Sequence, residues 1–212
     1  MIMNNRILSI MILIAIVGDF AVPYILAPFY KGYSHTRSVM SSLGNPSSPV
    51  RMLYNIWLVV LGVLLLVSCK LIYIRFLSVS KGLSIALIVL VAAFAIGAGV
   101  ISGLFSVNER KDVVTIASQI HGIGASVGFI LLLFAPLLLA ILFFKENHRF
   151  EGAFSLVCFA AAFVFFGLFI MAEKQPFQNT IIALEGLWQR LTLLFMYLPF
   201  SGVAISELLQ IK

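Results

Sequence analysis

"LSIALIVLVAAFAIGAGVISGLF", residues 83–105, decides the fold. It holds no charged side chain, and the nearest ones flank it as Lys81 and Glu109. At a rise of ~1.5 Å per residue, a helix of this length crosses the ~30 Å apolar layer of a bilayer. Apolar runs recur on both sides of it, at about 7–29, 52–74, 114–143, 152–172 and 181–208. The expectation is an all-α polytopic membrane protein, a six-transmembrane-helix bundle, with residues 1–212 as a single transmembrane domain. Composition agrees, with 62% hydrophobic and 10% charged residues and a mean hydropathy of +1.12. Soluble domains carry about 25% charged residues.

The net charge of +6 does not mark a nucleic-acid binder, because the basic residues are scattered singly through the loops. Cys69 and Cys158 fall in apolar runs with no CxxC spacing, so a structural disulfide is not expected. No A-x-A-like site follows the first apolar run, which continues to Phe29 and reads as an uncleaved span. The fourth run is too long to stand upright and should tilt, or bend at Pro136. The longest connection is "YKGYSHTRSVMSSLGNPSSPVR", residues 30–51, within which "HTRSVMSSL" reads as a short interfacial helix.

With the N-terminus inside, Arg6, Lys70, Arg75, Lys81, Lys145, Arg149 and Lys212 face the cytoplasm. Lys31, Arg37, Arg51, Arg110, Lys111, Lys174 and Arg190 fall on the other side. Arg190 lies inside a span and Arg51 at a helix mouth. Discounting both tips the balance toward a cell-membrane protein with two cytoplasmic termini.

Whatever its sign, this topology puts loops 30–51, 106–113 and 173–180 on one face, and the intramembrane polar residues crowd toward that face. Helical rise puts Asp19 ~15 Å, His121 ~12 Å and Arg190 ~14 Å below it, on three different spans. Asn55 is shallower, at ~6 Å. A lone charge at mid-bilayer costs about 2.5–3.5 kcal/mol on insertion scales, so the three should turn inward and find partners. The reading pairs Asp19 with Arg190. Pro23 cannot donate to the carbonyl of Asp19, which predicts a kink beside a polar pocket. Glu185 aligns with Gln189 along the sixth span, and Arg190 with Gly186, whose missing side chain leaves room above the guanidinium. Gly97, Gly99, Gly124 and Gly128 suit close helix packing.

"YKGYSHTRSVMSSLG" after the first span, "HGIGA" in the fourth and "GLWQR" in the sixth resemble the family of bacterial and archaeal membrane proteins called domain of unknown function 998. With the six-span layout, the resemblance covers nearly the whole chain. The chain departs from the family's pattern at Ser42, where an acidic residue precedes Leu-Gly, so no carboxylate role is carried over there. The resemblance implies no assigned reaction. It implies that His35, His121 and Arg190 belong together in a site.

The candidate catalytic residues are Asp19, His35 and His121, a carboxylate and two imidazoles suited to acid–base work. The candidate binding residues are Arg190, Glu185, Asn55, Tyr33 and Arg51, with Arg190 matched to a phosphate. Zinc would require His35, His121 and Asp19 or Glu185 to converge. No metal site is assigned, and the sequence names neither a cofactor nor an oligomeric state. The leading expectation is a one-sided intramembrane polar site that binds or acts on a membrane lipid or lipid-linked headgroup. A small proton-coupled carrier, or a structural accessory protein, is the alternative. The inner halves of the spans, as in "ILLLFAPLLLAILFF", offer no polar route to the far face and favour the one-sided site.

Overall fold

The structure, a computed structural model, describes residues 4–108 and 113–209. Arg110, Lys111 and Lys212 of the charge balance lie outside the described residues. Among the described residues, six helices are long and apolar enough to cross a membrane. They are α1 (Asn5–Phe29), α2 (Arg51–Phe76), α3 (Lys81–Leu104), α4 (Ile116–Lys145), α5 (Arg149–Ala172) and α6 (Glu185–Leu209). Each agrees with its expected span to within four residues. The protein is therefore an all-helical, multi-pass membrane protein.

Side-chain caps start three of them. Asn4 accepts from the amide of Arg6, Ser80 from that of Leu83, and Thr115 and Ser118 form a reciprocal capping box. These bonds satisfy amides that have no partner inside the helix. Helix α4 breaks at Phe134, and Pro136 opens its second half. A proline can begin a helix but cannot continue one. Helix α1 runs on through Pro23.

The centre of the bundle is glycine-packed. Residues Ala95–Ile101 of α3 wind as a π-helix and touch α2 and α4 backbone to backbone. A Cβ on Gly97 would sit 2.1 Å from the Gly124 carbonyl oxygen, and one on Gly99 2.7 Å from the Gly62 Cα. No larger residue fits these crossings.

Helix α5 is the most peripheral, with 17% of its most apolar stretch buried against 39–50% for the others. It packs along α6 and the second half of α4 but barely touches the first half of α4. A cleft therefore opens between α4 and α5 on the loop face.

The opposite face is closed by ion pairs. Arg75 at the end of α2 grips Glu146 with Nη1 and Nη2, at 2.6 and 2.8 Å. Its Nε lies 3.5 Å from Glu207 of α6, which also accepts from Asn5 of α1 at 3.3 Å. Four spans thus meet in one clamp.

The first loop departs from expectation. Residues 30–50 do not lie at the interface as an amphipathic helix. The loop dips into the bundle as turns and a short 3-10 segment, Met40–Gly44, burying Met40 and Leu43 almost completely.

Candidate functional site

Two connected spaces lie beneath the loop face. The inner chamber, of about 60 Å³, is bounded by Asp19 of α1, Tyr54 of α2, Phe94 of α3, His121 of α4, Gln189 of α6 and Met40 of the loop. The outer groove, of about 820 Å³, runs between α4 and α5. Ser41, His121, Ala125, Phe129 and Gln189 line both. Asn108, Ser118, Gln119, Glu173 and Glu185 line the groove near the loop face, together with Phe169 and Ile170 at the end of α5, and Phe129, Ile130 and Phe166 line it further in.

Asp19 is 3% exposed and accepts a 2.9 Å hydrogen bond at Oδ2 from the Tyr197 hydroxyl. Tyr197 is held by edge-on contacts with Phe20 and Phe94. The ring of Trp57 packs over Gly18, where a Cβ would come within 2.2 Å of it. Its buried indole N–H completes no strict hydrogen bond but is a neighbour of the Asp19 carboxylate.

The expected Asp19–Arg190 pair is not formed. No ion pair within 4.0 Å joins them among the described residues. The guanidinium instead binds the inserted loop. Nη1 donates to the carbonyls of His35 (2.6 Å), Ser38 (3.3 Å) and Gly186 (2.8 Å). Nη2 donates to the Tyr33 hydroxyl at 2.6 Å and approaches His35 Nδ1 at 3.3 Å. Matched depth predicted a pair, but the inserted loop takes every described bond of Arg190 except the one to Gly186 of its own helix.

His35 therefore holds the loop in place and does not line the chamber. Its ring stacks on Tyr24 with centroids 4.0 Å apart and meets Tyr33 edge-on. Arginine is only a donor, so Nδ1 must be the bare acceptor and the ring proton sits on Nε2. Burial lowers the His35 pKa from its ordinary value, and the neighbouring Arg190 charge lowers it further. Burial raises that of Tyr33, partly offset by Arg190.

The space above Gly186 is filled by the loop backbone, since a Cβ there would meet the Ser38 carbonyl oxygen at 2.2 Å. The amide of Leu187 donates to the Thr36 carbonyl at 2.9 Å, and Gln189 Oε1 accepts from the Met40 amide at 2.7 Å. The "GLWQR" stretch is thus a clasp for residues 33–40.

His121 does face the chamber. Its Nδ1 donates to the Phe105 carbonyl at 2.8 Å, since a carbonyl can only accept, and this fixes the ring at the end of α3. Asn55 and Arg51 stand apart from the chamber. Both bond the Ser106 hydroxyl, at 3.0 and 3.3 Å, and they line a separate outward hollow between α2 and α3. Among the described residues, no three His, Cys, Asp or Glu side chains gather to hold a metal.

The family model described as Protein of unknown function (DUF998) matches residues 13–206. The chain belongs to this family. No curated protein and no solved structure matches it. In this DUF998 member, sequence reasoning missed Tyr197, Tyr54 and Met40 and did not select Gln189. Tyr197 carried a usable signal. It lies seven residues after Arg190, hence on the same face of α6, and is a polar aromatic in an apolar helix. Met40 carried none, because loop backbone has no periodicity to read.

Proposed function

We propose that this protein binds the headgroup end of a membrane amphiphile in a one-sided site beneath its inserted loop. One observation carries the reading: the groove between α4 and α5, walled by Phe129, Phe166 and Phe169, meets at His121, Ala125 and Gln189 a chamber holding a buried carboxylate. A lipid-like molecule matches both parts, with a polar end for Asp19, His121 and Gln189 and a tail for the phenylalanines of the cleft. The Arg75 clamp and the apolar layer above it favour binding over carriage across the bilayer. On the basic-residue balance, the termini are cytoplasmic and the groove opens outward in the cell membrane.

A second reading, acid–base chemistry on the bound headgroup, is favoured by Asp19 and His121 sharing one chamber. Purified protein given its extracted lipid would then convert it.

The binding reading is tested by mass spectrometry of the lipids that stay with the protein through purification in mild detergent. Ala125→Phe fills the junction between groove and chamber. The wild type should retain a selected amphiphile that the variant loses. Identical bulk lipid profiles from both would refute the proposal.

A further inference from the structure

The chemistry of the chamber goes further than its shape. A carboxylate removed from water is stable only when it is hydrogen-bonded and matched by a positive charge, or when it takes up a proton. Among the described residues Asp19 has neutral donors beside it, the Tyr197 hydroxyl that bonds it and the Trp57 indole. Among the described residues no Lys or Arg lines the chamber. The guanidinium of Arg190 is bonded to three loop and helix carbonyls and to Tyr33. A phosphate at this point would face Asp19 with no guanidinium turned toward it.

The chamber walls favour the opposite sign of ligand. Tyr54, Phe94 and Phe129 border it, Tyr197 bonds the carboxylate through its hydroxyl, and the Trp57 ring packs over the adjoining Gly18. Aromatic faces around a carboxylate attract ammonium groups, through the ring quadrupole and the full charge together. The size also agrees. About 60 Å³ admits a small cationic head, and the groove of about 820 Å³ next to it takes an alkyl chain. We infer that the bound amphiphile carries an ammonium head, seated in the chamber against Asp19, with its hydrocarbon tail in the α4–α5 groove. This rests on the proposed binding site and names the class of ligand it takes.

The test uses full-length protein in maltoside micelles and native mass spectrometry. Three amphiphiles of one chain length are titrated: dodecylamine, dodecyltrimethylammonium and dodecyl phosphate. Dodecanol serves as the uncharged member. The expected result is a saturable one-to-one adduct with at least one ammonium amphiphile, at least tenfold tighter than with dodecyl phosphate or dodecanol. Asp19→Asn keeps an oxygen for Tyr197 but removes the charge, and should erase that preference. Should this variant not fold, the wild-type selectivity decides alone. Equal or tighter binding of the phosphate or the alcohol would overturn the ammonium assignment and leave the binding site standing. Unchanged selectivity in a folded Asp19→Asn would do the same. Saturable binding of none of the four would overturn both.

Discussion

Gly186→Ala is the sharpest test of the inserted loop. The new Cβ would lie 2.2 Å from the Ser38 carbonyl oxygen and 2.7 Å from that of His35. Both are backbone atoms, so no side-chain rotation relieves the contact. The loop must retreat by about 1.2 Å to reach ordinary van der Waals separation. The same two carbonyls accept from Arg190 Nη1 at 2.6 and 3.3 Å, and a retreat of that size takes at least the longer bond out of range. Overpacking costs about 1–3 kcal/mol, and a hydrogen bond to a charged group contributes about 1.5–3 kcal/mol. We expect a loss of about 2–4 kcal/mol, since relaxation makes the two terms partly alternative. Cys69 and Cys158 are both buried, so a thiol-reactive fluorophore reports unfolding directly. Gly167→Ala is the matched control, because nothing lies within 4 Å of a Cβ there. It should be neutral or stabilise by up to about 1 kcal/mol through helix propensity. Gly186→Ala should also expose residues 33–44 to proteolysis. If it unfolds together with the control and its loop stays protected, the clasp does not exist.

Asp19→Asn and Tyr197→Phe should show a coupling of about 1–2 kcal/mol in a double-mutant cycle read by the same fluorophore. Asp19→Asn with Arg190→Gln should be close to additive, and strong coupling there would restore the direct ion pair. Arg75→Gln and Glu146→Gln should couple by about 1–3 kcal/mol, as a bidentate, half-buried pair does, and additive losses would make the clamp incidental. His35, facing Tyr24, Tyr33 and Arg190, titrates in the folded chain below its ordinary 6.5. The unfolded chain therefore takes up the proton first, and stability of the docked loop falls as pH drops below about 6.5. Cysteine labelling within residues 33–44 should rise over that range in the wild type and stay flat in His35→Phe.

The spans were legible because hydropathy and helical rise are one-dimensional, and a sequence is too. Depth was legible for the same reason: Asp19 and His121, matched by residue count alone, do share a chamber. Partnership was not legible. Arg190 matches by the same count, but loop backbone reaches it first, and a main-chain carbonyl leaves no mark in composition. Asn55 and Arg51 failed for a related reason. They share a face of the membrane with the chamber but point to the other side of α2, and rotation about the bundle axis depends on packing.

The clasp between "YKGYSHTRSVMSSLG" and "GLWQR" separates closing the site from shaping it. Two of the three stretches that carry the resemblance bind each other, whereas the third, "HGIGA", lends His121 and Ala125 to the chamber and the groove. In this chain the two clasp stretches therefore bear on how the chamber is closed, and the groove residues on what shape it offers. Phe129, Phe166 and Phe169 lie outside all three stretches, so a change of side chain there reshapes the groove and leaves the clasp untouched.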